Sequence, residues 1–375
     1  MAMYMVKPWY KKEEPSTGIF GAEWDGSSST SLTRTDDSAN FSDPVPYYPN
    51  MSGSPSSPFD RYLPWSGMRV VEDSTAGSLV EIPKYYWKLT LDGLKMKWQI
   101  SSESFEGSLV SPAHADRGDG EGERDYVYVG RYHCNSNYKS ATGVAPIRSM
   151  TRAAARTNIH GLGTNIYQFD FAMWWTINML YLVEFANWDS QIKIGLGSGN
   201  NTSVQNNGVS DTMPYHTGSM TNNRDYGVGV QYRYIENLWA NVMTWCDGIY
   251  FNNTNTYCIK NPNNFSDTEN GVFVGTRATN GGKSISKWTD PSSISGYEYA
   301  LNAAEAQGTQ TTYVTDYYNY SKNSKTGVVL QVGGYYSRIK YWGLFCLYEQ
   351  LQANASDATI GCRLMVLPPA RLSAA

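Results

Sequence analysis

The chain's most reactive side chains are five cysteines, Cys134, Cys246, Cys258, Cys346 and Cys362, and their spacing limits what they can do. No two form a Cys-X-X-Cys pair and no histidine stands at zinc-ligand spacing, so neither a metal knot nor a disulfide framework is expected. Most should be buried free thiols. His114, His133, His160 and His216 are scattered, and none joins a Ser or Cys in a nucleophile motif. Gly195-Leu-Gly-Ser-Gly-Asn200 has the glycine rhythm of a dinucleotide loop, but it ends on Asn200 and follows a helical pattern instead of opening one. Gly281-Gly-Lys-Ser284 ends like a phosphate loop, yet Arg277 stands where its first glycine is required. The stretch from Asp116 to Asp125 is acidic and glycine-rich. Gly118, Gly120 and Val127 occupy positions where a calcium loop needs oxygen ligands, so a solvated turn is expected. These residues predict no catalysis, no cofactor and no metal site.

The elements available to position side chains follow from composition and period. Charged residues make up 17% of the chain, with 34 Gly and 29 Tyr, which favours short strands and long loops over helix. A net charge of -4 and the lack of a basic stripe interleaved with aromatics argue against a nucleic-acid partner. Aromatics reach 14%, and many Tyr sit in polar stretches, a composition suited to surfaces that contact diverse partners with little entropy loss.

Residues 1–60 carry Gly26-Ser-Ser-Ser-Thr-Ser, Asp43-Pro-Val-Pro and Ser54-Pro-Ser-Ser-Pro with little periodicity, and read as an extended N-terminal arm for attachment or an oligomer contact. Residues 61–375 read as one domain. Ser78 to Thr90 predicts a strand that turns at Asp92-Gly93 into a second strand, Lys97 to Ile100. Helices are predicted between Pro146 and His160 and from about Tyr167 to Trp188. The second is strongly apolar, but Asp170, Asn178 and Glu184 interrupt it, so it reads as a buried amphipathic helix and not as a membrane insertion. Beyond Ile194, Gly- and Asn-rich loops separate aromatic islands at 232–250, 328–347 and 360–367, expected to be short core strands. The expected class is α+β, with two helices, short strands and long loops. The start, Met1-Ala-Met-Tyr-Met-Val6, lacks the basic region and apolar run of a secretory signal, which predicts synthesis in the cytoplasm.

Two segments carry a family resemblance. Tyr232-Arg-Tyr-Ile-Glu-Asn-Leu-Trp239-Ala-Asn241-Val-Met-Thr-Trp245-Cys-Asp247-Gly248 resembles the GNVWEW signature of the formylglycine-generating-enzyme branch of the C-type-lectin fold. Val332-Gly-Gly-Tyr335 through Trp342-Gly-Leu-Phe345, with Ala358 to Leu364, resembles the closing GGSW and GFR of that superfamily, and Tyr181 to Ala186 is similar to its upstream helix. The resemblance spans roughly residues 78–367 and implies a C-type-lectin-like fold. The enzymes of that branch carry paired redox cysteines shortly after the Gly-Gly. Tyr335 to Tyr341 contains none, so the fold is implied without the oxidase chemistry. With Glu23-Trp-Asp-Gly26, Pro112 to Gly120 and Ile192-Lys-Ile-Gly195, the whole pattern resembles phage structural proteins from gut bacteria. Some relatives of those proteins are the variable proteins of diversity-generating retroelements.

That resemblance implies a non-enzymatic phage tail adhesin, located in the virion, with a variable recognition segment at 335–357. Unrelated side chains alternate there with small and apolar ones. The residues expected to face a receptor are Tyr335, Tyr336, Ser337, Arg338, Ile339, Lys340, Tyr341, Trp342, Cys346, Tyr348, Glu349, Gln350 and Gln352. Trp239, Trp245, Gly333, Gly334, Phe345, Gly361 and Arg363 are expected in the frame beneath. The implied partners are a bacterial surface receptor, protein or glycan, other tail proteins, and further copies of the chain, expected as a trimer for avidity. The alternatives are a virion decoration protein without a receptor and a formylglycine-generating-type oxidase.

Overall fold

The computed structural model describes residues 17–27, 32–199, 201–222, 227–268, 270–309, 311–320, 326–338 and 340–369. The architecture is β-rich with few helices, an α+β arrangement in which the sheets are short and much of the chain is loop. One sheet of five strands runs, in spatial order, Thr33–Asp36, Phe20–Trp24, Lys95–Ser101, Tyr86–Asp92 and Leu109–Val110. A second orders Arg69–Asp73, Gly77–Pro83, Tyr126–Gly130, Leu364–Val366 and Ile166–Gln168, so the end of the described chain closes a sheet begun near its start. The largest sheet is built on Met243–Asn252, which pairs with Asn255–Cys258, with Thr326–Val332 and, in parallel, with Ile360–Gly361. Leu347–Glu349 lies between Thr326–Val332 and Tyr317–Tyr320.

Period-two alternation explains the predicted hairpin. In Lys95–Ser101 the side chains of Met96, Trp98 and Ile100 are buried, and the turn at Asp92-Gly93 lets Gly93 take a positive φ of 64°. The segment predicted as one strand from Ser78 to Thr90 is two. Gly77–Pro83 belongs to one sheet and Tyr86–Asp92 to the other. Pro83 has no N–H for the ladder, and the chain changes sheets at Lys84-Tyr85.

Helix α1 (Arg152–His160) starts five residues later than the earliest position allowed by Pro146, because the Thr151 hydroxyl caps it by accepting the N–H of Ala154. Helix α2 (Phe171–Phe185) is capped by the Asp170 carboxylate, which accepts the Met173 N–H at 2.8 Å. All 15 of its residues are buried, so it is not the amphipathic helix expected. It lies against Phe20–Trp24 and Lys95–Ser101 on one side and Met243–Asn252 on another, and a helix covered all round is apolar all round. A third helix, α3 (Ser190–Lys193), is a single turn that the two-helix expectation lacked. Among the described residues no helix is long and apolar enough to cross a membrane.

Residues 17–27 and 32–60 do not form the extended arm expected over residues 1–60; residues 1–16 and 28–31 lie outside the described residues. Phe20, Ala22 and Trp24 alternate inward from a strand paired on both sides. The Phe20 ring packs against Phe41, Phe59, Tyr62 and Trp65 at centroid distances of 4.8–5.9 Å, and Trp24 meets Trp188 at 5.4 Å. The Pro- and Ser-rich composition concealed this short alternation.

A buried ion pair ties the same segment to the core. Arg233 contacts Glu184 of α2 at 2.5 Å and Asp60 at 2.8 Å. Ser57 donates to Glu184 at 2.7 Å, and Tyr232 donates to it at 3.0 Å. Burial works against the Asp60 carboxylate. The bonds and charges of His216, Arg233 and Tyr215 outweigh it and hold its pKa down at about 2.

Truncating Phe20 to Ala should therefore destabilise the protein by about 3–5 kcal/mol. Urea unfolding measures this. A change within about 0.5 kcal/mol, the range of surface substitutions, would return this segment to the status of an arm.

Candidate functional site

The candidate surface begins at a turn that only small residues permit. Gly333 has φ of 73°, and a Cβ added there would sit 2.5 Å from the Leu238 carbonyl oxygen. A Cβ on Gly334 would collide with the Trp342 carbonyl. The chain therefore passes directly over 238–241. Ala240 N–H donates to Gly334 O at 3.0 Å, and Tyr336 N–H donates to Asn241 O at 3.0 Å. Asn241 is itself fully buried, with its side-chain amide accepting the Gln205 N–H at 2.9 Å and donating to the Gln205 carbonyl at 3.1 Å. The Asn201 N–H reaches Tyr336 O at 2.7 Å, so a loop distant in sequence also braces the emerging segment.

The segment returns to the frame through a clamp of side chains. Gln191 accepts the Tyr341 N–H at 2.7 Å and Ser190 accepts the Leu344 N–H at 3.0 Å, both from the single turn of α3. Asp316 accepts the Gly343 N–H at 2.9 Å on one carboxylate oxygen and the Phe345 N–H at 2.8 Å on the other. These donors have no strand partner at that point, and each is satisfied by a side chain more than 20 residues away. Sequence reasoning missed Ser190, Gln191 and Asp316, because nothing local to them announces what they hold.

Between these anchors Ser337, Arg338 and Lys340 are exposed, while Tyr335, Tyr336 and Tyr341 are half-buried. Ile339 lies outside the described residues. The Tyr335 and Tyr336 rings meet at 6.1 Å, and Tyr341 packs against Tyr317 at 5.6 Å, which adds a residue that the sequence reading did not include. Tyr348 is half-buried beside Trp342 at 6.0 Å. Gln350 and Gln352 are also half-buried, with Gln350 donating to the Tyr320 carbonyl at 3.4 Å.

Three residues expected on this surface are inside instead. Trp342 is only 6% exposed, beneath the Arg338 side chain, with Tyr335 packed edge-on at 5.8 Å. Cys346 is fully buried between Phe345 and Leu347, which are also buried, and burial pushes its thiol well above the usual range. Glu349 is fully buried because Leu347–Glu349 is a strand whose odd positions face inward while Tyr348 faces out. It receives Arg277 at 3.0 Å and the Tyr318 hydroxyl at 2.9 Å. Apart from Tyr348, the irregular mixture of side chains in 342–349 reflects inward neighbours, not an outward face.

The residues expected in the frame are there. Trp239, Trp245, Phe345, Arg363, Gly333, Gly334 and Gly361 are all buried. The indole N–H of Trp239 donates to Gly195 O at 3.1 Å, and that of Trp245 to Met150 O at 3.0 Å. Elsewhere, the acidic turn at 116–125 is folded back by Arg124, which meets Asp119 at 2.5 Å, and all five cysteines are buried and free. No protein-family model matches the chain, and no curated protein matches it.

Asp316 links the clamp to pH. Burial and the neighbouring Asp189 carboxylate push its pKa up to about 7, against the two backbone N–H bonds. The folded state thus holds a proton that the unfolded chain releases at ordinary carboxylate pH. The stabilisation is complete in acid and is lost as pH rises through about 7. Asp316→Asn should flatten this dependence between about pH 4 and about pH 7, as read from urea midpoints. An unchanged pH profile in the variant would refute the assignment. Gly333→Ala should cost about 1–3 kcal/mol through a positive φ and the Leu238 carbonyl contact, with thermal unfolding as the measurement.

Proposed function

We propose that this chain is an attachment protein, a phage tail adhesin with a C-type-lectin-like fold, that binds a bacterial surface receptor through the exposed part of residues 335–352. The carrying observation is a division of labour over a short stretch. Gly333, Gly334 and Trp342 to Leu347 are locked into the frame, while Tyr335, Tyr336, Ser337, Arg338, Lys340 and Tyr341 project from it. Side chains that project from two fixed anchors can be exchanged with little effect on the core. The half-buried tyrosines offer amphipathic contact area at low entropy cost, and the two cations add charge complementarity.

A reading without catalysis is supported by Cys346, whose buried, protonated thiol has no second cysteine in 335–345 to complete a redox pair. On this proposal the protein acts in the virion, held by other tail proteins. A single small patch binds weakly, so the proposal includes several copies, a trimer, acting together. Sedimentation at micromolar concentration checks this, and a monomer there counts against it.

The principal test replaces Tyr335, Tyr336, Ser337, Arg338, Lys340 and Tyr341 together by Ser and Gly. Binding to host cells should disappear while cooperative thermal unfolding is kept, with the melting temperature lowered only by the loss of the half-buried Tyr335, Tyr336 and Tyr341 rings. Binding that survives intact removes this surface from the function. In sibling genes, differences should concentrate at these exposed positions and avoid Trp342, Cys346 and Glu349; an even spread would count against diversification.

A further inference from the structure

We propose that Arg338 is a preorganised receptor for an oxyanion group, carboxylate or phosphate, carried by the partner of the 335–352 surface. This rests on the attachment reading and narrows its partner chemistry.

Most exposed arginines sample many rotamers, and ordering one on binding costs conformational entropy. Arg338 is exposed yet already held. Its guanidinium carbon lies 4.8 Å from the Trp342 ring centroid and 5.2 Å from that of Tyr335. Its Nε–H donates to the Tyr335 hydroxyl at 2.7 Å. Both rings are held in turn, Trp342 by burial and Tyr335 by edge-on packing on Trp342 above its backbone bridge to Asn241. With Nε engaged, the two terminal nitrogens remain, and their parallel N–H bonds match the spacing of two oxygens on a carboxylate or phosphate.

The charge balance around this fork points the same way. Among the described residues, no ion pair joins Arg338 or Lys340 to a carboxylate. Glu349 is the one acidic residue in 335–352, and it is withdrawn to Arg277 inside the protein. The exposed face is therefore cationic on a chain of net charge -4. Asp189 lies near enough to feel Lys340, so Lys340 is partly offset and Arg338 is the principal donor. The buried arginines differ: Arg233, Arg277 and Arg152 each already contact a carboxylate.

The test is a titration of the full-length, 15N-labelled protein with inorganic phosphate and, separately, with sodium glucuronate, at constant ionic strength against a chloride control. The Nε–Hε correlation of Arg338, assigned by its loss in Arg338→Lys, should shift and saturate with at least one of them. The tighter of the two identifies the phosphate or the carboxylate source. Arg338→Lys keeps the charge but loses the fork, and should weaken binding by about ten-fold or more, followed at the Tyr335 and Ser337 amides. Tyr335→Phe, which removes only the anchoring hydroxyl, should weaken it by less, and Lys340→Ala by less than Arg338→Lys. Shifts that do not saturate, that chloride reproduces, or that Arg338→Lys leaves unaltered overturn the proposal.

Cell attachment separates this proposal from the one beneath it. If replacing the exposed segment abolishes attachment but Arg338→Ala leaves it intact, the oxyanion proposal falls and the adhesin reading stands. If neither change affects attachment, the adhesin reading falls, and the titration still decides whether Arg338 binds oxyanions.

Discussion

A chain with this much irregular backbone must find hydrogen-bond partners for loop carbonyls that water cannot reach, and buried arginines supply many of them. Arg363 donates to the carbonyls of Gly130, Arg131, Glu236 and Asn237, closing two separate segments on one guanidinium. Arg152 reaches the carbonyls of Cys246 and Ile249, Arg277 that of Asn253, and Arg117 that of Lys260. No other side chain carries five donors in a plane.

Burying a cation is costly unless it is paired, and the pairing determines how the sheets and loops join. Arg152 and Arg156 share Asp247 and Asp267, which fastens α1 to the strand Met243–Asn252 and to the loop beyond it. Arg117 pairs with Asp170, the residue that also caps α2, so one carboxylate starts the central helix and anchors the glycine-rich turn. Arg233 joins Glu184 of α2 to Asp60 in the N-terminal segment. Arg363 is the exception, held by carbonyls in place of a carboxylate, and burial lowers its pKa to about 10.

The same economy of side-chain partners shapes the candidate surface. Its two ends are held by Asn241 at one side and by Ser190, Gln191 and Asp316 at the other, with no regular ladder between them. Anchors of that kind bind backbone, so they are indifferent to the side chains they carry across the gap. A frame of this type can therefore present the exposed Ser337, Arg338 or Lys340 without depending on any of them. The buried strand Leu347–Glu349 sets the limit of that freedom, because Glu349 balances the charge of Arg277 in the core.

Much of the local structure was legible in the sequence. The alternation of Met96, Trp98 and Ile100 marked a strand, the apolar run after Asp170 marked a helix, and Asp92-Gly93 marked the turn between paired strands. These are consequences of bond geometry and near-neighbour burial, which the order of residues encodes directly. Three things were settled only by the tertiary structure: the docking of residues 17–27 and 32–60 into the core, the inward turn of Trp342, Cys346 and Glu349, and the clamp formed by Ser190, Gln191 and Asp316. Each depends on a partner far along the chain, as Glu184 is from Arg233 or Arg277 from Glu349. Such pairings are selected by three-dimensional packing and the desolvation of charge, and leave no periodic trace in the segments they join.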